Sequence, residues 1–328
     1  MMLGIKVETV LFGALVGLLI GFTGIGGGSI MTPLLIIALG VAPVTAIGTD
    51  LAYGAVTKTF GAVNHLRRRN IDFRVYKWLA LGSLPGTLLG VILVGRLRAS
   101  YGHRFEDVLL GVVGGALLIV AIVVLLRTML PMQPDRREGQ RFEFTTGAKL
   151  AAVLLGLFLG TILGLTSVGT GALIGVAMML VFRLTPQRTA GTSVFLGACL
   201  LWVAAIGYLA IGQVDFTLMG NILIGSIPGV WVGSLLVNRV ADQALRVTLA
   251  AVLLGSALAS LGKAGASMPT TAIIGAPLGV GALGWLTHRR RARPALGAGG
   301  ARARTGGGIG VGTGTLAAGT TRLRPEDH

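Results

Sequence analysis

Long apolar blocks alternate with short polar stretches along the chain as far as about residue 288. The blocks fall at about 7–22, 29–40, 44–64, 74–95, 105–127, 149–166, 171–183, 187–209, 216–238, 244–262 and 269–287. A membrane-spanning helix takes about 20 predominantly apolar residues. The pattern therefore predicts an all-α integral membrane protein. The blocks at 29–40 and 171–183 are too short for a full span, and each follows a glycine-rich break.

The chain contains two copies of one unit, related by an offset of 143 residues. Equivalent positions carry the same residue at many glycines, prolines and polar sites, including Gly21 and Gly164, Pro43 and Pro186, Thr49 and Thr192, and GSLPG at 82–86 and GSIPG at 225–229. Each copy holds five apolar blocks, and an odd number makes the second copy enter the membrane from the opposite side. We therefore predict two inverted repeats, an arrangement common in transporters.

Composition shifts divide the chain into five parts. The stretch after residue 127 is polar with two prolines, and the C-terminal end is rich in Gly, Ala, Thr and Arg. Such compositions favour a linker and a disordered segment. We expect a first transmembrane repeat at 1–127, a cytoplasmic linker at 128–148, a second repeat at 149–263, an extra transmembrane segment at 264–288 and a disordered cytoplasmic tail at 289–328.

The charges are few, and most of them lie between the apolar blocks. The chain is 53% hydrophobic and 12% charged, with a net charge of +16. Its Lys and Arg residues form short runs without interleaved aromatics, which is typical of cytoplasmic loops and not of a nucleic-acid surface. We expect the lipid bilayer of the cell membrane as the partner and no nucleic acid. The N-terminus is expected outside and the C-terminus in the cytoplasm.

The first candidate site is the pair of glycine breaks, GFTGIGGGS at 21–29 and GLTSVGTGA at 164–172. A short helix that starts at such a break has free backbone N–H groups and a positive dipole end, both of which favour an anion. The alternative is that the glycines only permit close helix packing. A nucleotide-binding loop fits poorly, because no Lys-Ser or Lys-Thr follows. The candidate substrate-binding residues here are Gly26, Gly27, Gly28, Ser29, Gly169, Thr170 and Gly171.

The second candidate is GTDL at 48–51 with its counterpart GTSV at 191–194. Charges inside apolar segments are expensive and mostly functional, so Asp50 is a candidate carrier of a coupling proton. We expect Thr49, Thr192 and Ser193 to flank the substrate.

Two further side chains are candidates for proton relay. Lys58 lies two helical turns after Asp50 and shares its face; a structural Asp–Lys pair, or a lysine that extends to the membrane edge, is the alternative. His65 could relay protons or be only a polar boundary residue. The GS-x-PG pair is expected to kink or pack helices, with no ligand role.

Taken together, these motifs resemble the TauE/SafE family of sulfite and organosulfonate exporters. The likeness rests on the G-x-G-G-G break, the LG-x-x-P-x-x-A-x-GT stretch at 39–49, GA-x-x-H at 61–65, NID at 70–72 and GS-x-PG, and it covers about residues 8–262. The resemblance implies a transporter that exports a small anion such as sulfite or a sulfonate. Position 50 departs from the family pattern, which has a small hydroxyl residue there, and this favours proton coupling or a changed substrate.

Other functions fit the sequence less well. A passive anion channel is the main alternative to a carrier. An intramembrane enzyme would need a nucleophile with a base, or a metal site, and the four histidines have no metal-ligand spacing. The membrane subunit of an ATP-driven importer would need a separate ATPase. We therefore expect no enzymatic activity, no cofactor and no metal.

Overall fold

The structure is a computed structural model that describes residues 6–23, 28–101, 103–129, 145–169, 171–182, 184–236 and 242–265, with the single positions 275 and 279. Most of the expected linker, nearly all of the extra segment at 264–288 and the whole tail at 289–328 lie outside the described residues. Those three expectations remain predictions.

The described residues form ten α-helices, and each apolar block as far as residue 262 becomes one helix. They are α1 (Val7–Thr23), α2 (Gly28–Ala38), α3 (Pro43–Arg67), α4 (Phe73–Tyr101), α5 (His103–Met129), α6 (Thr146–Thr166), α7 (Ala172–Phe182), α8 (Pro186–Ala210), α9 (Phe216–Leu236) and α10 (Asp242–Lys263). The prediction of an all-α membrane protein is confirmed.

Five of these helices are long and apolar enough to cross a membrane by themselves, and they correspond to α4, α5, α6, α8 and α9. α3 has 25 residues but is not among them. It carries Asp50 and Lys58 within its length, and it packs on α2, α8 and α9. α2 and α7 have 11 residues each, which span roughly 16 Å, or about half of a bilayer core.

Helix contacts follow a two-fold pattern between the repeats. α1 packs on α9, and their repeat counterparts α6 and α4 pack on each other. α3 packs on its own counterpart α8, and α5 on its counterpart α10. Exchanging the two halves therefore reproduces the same set of principal contacts.

Equivalent helices run in opposite directions. Gly48 near the start of α3 lies against Gln213 just after α8, Gly54 lies against Leu201, and Gly191 near the start of α8 lies against Asn70 just after α3. α3 and α8 are therefore antiparallel. This is the geometry that an inverted repeat requires of counterpart helices.

The GS-x-PG motifs pack helices closely. Gly82 and Gly86 of α4 lie directly on the backbone of α6, and a Cβ on either would overlap a carbonyl oxygen there. Gly225 and Gly229 of α9 meet the backbone of α1 in the same way. Small residues allow this approach between helices in lipid, so the packing role expected for the motif is observed.

Candidate functional site

A cavity of about 490 Å³ lies where α3 meets α1, α8, α9 and the two glycine breaks. Its lining residues are Ile20, Gly28, Asp50, Tyr53, Gly54, Val56, Thr57, Lys58, Phe60, Ser167, Leu201, Leu223, Ser226, Ile227 and Val230. Both repeats contribute to its wall, and α3 supplies its charged groups.

Asp50 holds the two repeats together at one end of this cavity. The side chain is 1% exposed. Its Oδ2 accepts hydrogen bonds from Thr32 Oγ1 at 2.5 Å and from Ser167 Oγ at 2.9 Å. Thr32 lies on α2 of the first repeat, whereas Ser167 belongs to the second glycine break. Hydrogen bonds to a charged acceptor are stronger than neutral ones, so this carboxylate is a polar junction between the halves.

The local backbone explains why Ser167 points to Asp50. α6 ends at this residue, which has φ +60 and whose N–H donates to the Leu163 carbonyl oxygen. A left-handed residue after the last helical turn is a common helix end. Gly169 follows with φ +112, a backbone conformation that glycine adopts readily.

The two glycine breaks are in contact. Gly28, the first residue of α2, lies against Ser167, and a Cβ at position 28 would sit 2.5 Å from the Ser167 carbonyl oxygen. Only glycine permits this approach without a shift of the backbone. The start of a short helix from one repeat therefore meets the break of the other repeat, beside Asp50.

Two buried polar atoms in the cavity have no hydrogen-bond partner among the described residues. They are Asp50 Oδ1 and Lys58 Nζ. The two groups attract each other electrostatically, but the hydrogen bonds of Asp50 go to hydroxyls. Asp50 and Lys58 therefore do not form the direct structural ion pair that the sequence offered as an alternative. An unpaired buried ammonium is costly, and an anion in the cavity would offset that cost.

Sequence reasoning did not select three hydroxyl residues of this site. Thr32 and Ser167 bind Asp50, and Ser226 of the second GS-x-PG motif lines the cavity. We expected no ligand role for that motif, but the structure places one of its side chains in the cavity wall. Ser167 lies within the second glycine break, and that position in the sequence could have identified it as a candidate. The separation of Thr32 and Asp50 along the chain does not indicate that their side chains form a hydrogen bond.

Thr49 and Thr192 do not line the cavity, and each forms a hydrogen bond between the two repeats. Thr49 Oγ1 accepts from the Asp215 N–H at 3.1 Å, and Thr192 Oγ1 accepts from the Asp72 N–H at 2.8 Å. The carboxylates of these two aspartates in turn accept backbone N–H groups of the first turns of α4 and α9. Thr49 and Thr192 therefore have equivalent structural roles in the two repeats, where each binds the aspartate that precedes a helix of the other repeat.

The remaining candidates are not brought to the cavity. Ser193 Oγ donates to the Ala190 carbonyl oxygen of its own helix. Ser29 is buried on α2, and His65 lies in the last turn of α3; neither lines the cavity. Gly169 and Gly171 follow Ser167 in the chain, but they do not line the cavity. Gly26, Gly27 and Thr170 lie outside the described residues.

Side chains that could bind a metal do not cluster in the part of the chain that the structure describes. No group of three or more His, Cys, Asp or Glu side chains is placed to hold an ion there. The chemistry that the cavity offers is one carboxylate, one ammonium and several hydroxyls on an apolar wall.

Comparison with known proteins adds a family likeness over nearly all of the helical region. The family described as "Sulfite exporter TauE/SafE" matches residues 9–260. The chain is 36% identical over 255 residues to the "Probable membrane transporter protein YjnA" of Bacillus subtilis (strain 168), an overlap of 77% of this chain and 98% of that protein. It is 28% identical over 247 residues to the "Probable membrane transporter protein YdhB" of the same organism, covering 75% and 95%. No solved structure matches the chain.

Proposed function

The chain belongs to the sulfite exporter TauE/SafE family and is a multi-pass membrane transporter, and on that premise we propose that it exports a small anion, sulfite or a sulfonate, together with a proton. In this proposal it is a secondary carrier of the cell membrane, with no cofactor and no enzymatic step. The anion enters the cavity at Asp50, where the two repeats meet.

The junction of Thr32, Asp50 and Ser167 is the observation that carries the proposal. A buried carboxylate that is hydrogen-bonded from both repeats responds to any relative movement of the halves. Alternating access in inverted-repeat transporters is a rocking of one repeat against the other around a central site. Intramembrane carboxylates recur as proton carriers in such proteins.

An anion at this site is supported by two positive features. α2 begins at Gly28 in the cavity wall, and the start of a helix offers free N–H groups and a positive dipole end. The unpaired Lys58 Nζ is the second feature. The negative charge of Asp50 opposes an anion, so a proton on this carboxylate would favour substrate binding. That opposition is the physical basis of the proposed coupling.

Counterflow in proteoliposomes tests the substrate and the carrier class together. Vesicles that contain purified protein and a high internal concentration of sulfite should accumulate labelled sulfite against its gradient. A carrier gives this transient overshoot because labelled and unlabelled anions share one alternating site, whereas a channel gives only equilibration. Methanesulfonate and thiosulfate are tested alongside sulfite.

Lys77→Gln is a matched control, since Lys77 is an exposed cation at the start of α4. This variant should show the same overshoot as the wild type. If none of the three anions moves faster than in protein-free vesicles, the substrate proposal is wrong. Equilibration without overshoot would assign the protein to the channels.

A further inference from the structure

The two repeats are packed differently around the cavity. α3 and α9, which supply much of its wall, contact each other less than their repeat counterparts α8 and α4 do. Towards the C-terminal end of α4, Val91 is buried and lies against Gly207 of α8. The counterparts of these two residues, Ser234 of α9 and Asn64 of α3, are both exposed. The pair α3–α9 is therefore open at the positions where the pair α4–α8 is closed.

Positions that line the cavity have counterparts buried within the closed pair. Thr57 and Val230 are partly exposed in the cavity wall. Their counterparts, Leu200 and Thr87, are both 0% exposed. Because α3 and α8 are antiparallel, their C-terminal halves, on which the open and closed regions lie, point to opposite sides of the membrane.

The closed pair also contains two buried hydroxyls that have no hydrogen-bond partner among the described residues. They belong to Ser83 and Thr87 of α4. Ser83 is the counterpart of Ser226, which lines the cavity. A buried hydroxyl without a partner is destabilising, so these two groups are suited to a conformation in which a ligand reaches them.

We propose that α4 and α8 form a second cavity, the repeat counterpart of the first, which opens to the opposite side of the membrane when α3 and α9 close. In this cavity Ser83 and Thr87 donate hydrogen bonds to the anion. The inference rests on the proposed transport and adds a second substrate site to it. Because the repeats have similar sequences, exchanging the packing of the two helix pairs gives a conformation of comparable energy.

The reactivity of single cysteines from each side of the membrane tests this proposal. Cys199, the one cysteine of the chain, is replaced by alanine, and Val230→Cys or Thr87→Cys is added. A membrane-impermeant methanethiosulfonate is applied to intact cells or to inside-out vesicles. Val230→Cys should react from one side and Thr87→Cys only from the other. Since a minor conformation is typically populated to about 0.1–10%, Thr87→Cys should react at a correspondingly small fraction of the rate of Val230→Cys.

Ser260→Cys in the same background is the matched control. Ser260 of α10 is buried, does not line the cavity, and donates to the Ser256 carbonyl oxygen of its own helix. This variant should stay unreactive from both sides. The proposal is overturned if Thr87→Cys reacts no faster than Ser260→Cys, or reacts from the same side as Val230→Cys.

A cross-link across the closed pair provides an independent test. A Cβ at Gly207 would lie 3.4 Å from the Cβ of Val91, close to the separation of about 3.5–4.5 Å in a disulfide. In the Cys199→Ala background, Val91→Cys combined with Gly207→Cys should lose counterflow on oxidation and regain it on reduction. Each single variant should be insensitive to both treatments. Counterflow by the oxidised double variant at the reduced rate would contradict the proposal.

The hydroxyl contact has a separate test. Thr87→Val keeps the size of the side chain and removes its unpartnered hydroxyl, so stability in detergent should be unchanged or higher. Counterflow at low anion concentration should slow by about tenfold, because a hydrogen bond to a charged group is lost. Unchanged counterflow would show that Thr87 does not contact the anion.

The results distinguish this inference from the proposed function. Wild-type counterflow together with a fully active oxidised double variant overturns the second cavity and leaves anion transport intact. Reaction of Thr87→Cys from the opposite side, in a protein that moves none of the three anions, supports the second cavity and removes the proposed substrates.

Discussion

Asp50 is one of the residues through which the two repeats are joined. One of its oxygens accepts a hydroxyl from each repeat, and the other oxygen lies in the cavity without a partner in the described structure. A buried carboxylate in a membrane protein is stable only with such donors. The same arrangement leaves Asp50 Oδ1 free to bind a proton or to accept a hydrogen bond from a ligand.

A double-mutant cycle measures the bond between the repeats. Ser167→Ala should lower the free energy of unfolding by about 1–3 kcal/mol, since it removes a donor to a buried charge. The same substitution in an Asp50→Ala background should cost close to zero, because the acceptor is already absent. Thermal or denaturant unfolding in detergent provides the measurement.

Ser234→Ala is the control for that cycle. The Ser234 hydroxyl is exposed and donates only to the Trp231 carbonyl oxygen of its own helix. Its removal should change stability little in either background. Equal costs of Ser167→Ala with and without Asp50 would mean that the bond does not hold the repeats together.

At the residue scale, two of the sequence-derived candidates that line the cavity break a strong local rule. Asp50 and Lys58 were selected because charges are rare in apolar helices, and both line the cavity. Thr49 and Thr192 were selected from their matching positions, yet they bind backbone N–H groups of the opposite repeat. Contacts between repeats depend on how helices pack in space, and no spacing along the chain encodes them.

Glycine determines how closely the helices approach at the scale of elements. α4 lies on α6, and α1 on α9, through glycines whose missing side chains admit the neighbouring backbone. A glycine-rich stretch precedes each of the two short helices, α2 and α7. These features were predictable because glycine disfavours helix interiors and permits close contact.

Gly86→Ala tests the contact between α4 and α6. A methyl group there overlaps the Leu157 carbonyl oxygen, so the helices must separate, at a cost of about 1–3 kcal/mol in unfolding free energy. Gly115→Ala in α5 is the matched control, since an added Cβ meets nothing within 4 Å. That control should be neutral or stabilising by up to about 1 kcal/mol, because alanine favours helix. Equal melting temperatures for both variants would contradict the packing account.

Helix ends were less predictable than helix existence. The apolar block at 74–95 becomes α4 as far as Tyr101, because Arg96 and Arg98 fit a helix although they end the apolar pattern. Hydropathy identifies the part of a helix within lipid and does not identify polar turns that continue beyond it. The antiparallel pairing of counterpart helices, in contrast, followed from the odd number of blocks in each repeat.

The helical region consists of two repeats of opposite orientation, and these repeats differ at both charged positions of the cavity. Asp50 corresponds to Ser193, and Lys58 corresponds to Leu201, so both charges of the cavity come from the first repeat. In the proposed mechanism the two halves of this scaffold rock against each other. In that mechanism the two charges of the first repeat serve the anion and the proton.

The central claim is that Asp50, at this junction, couples a proton to the movement of an anion. It is tested most directly by the internal pH of proteoliposomes, followed with a trapped dye while an outward anion gradient drives efflux at zero membrane potential. We expect the wild type to make the interior more alkaline as protons leave with the anion, and Asp50→Asn to move anions without any pH change. Equal proton movement by Asp50→Asn and the wild type would contradict the account.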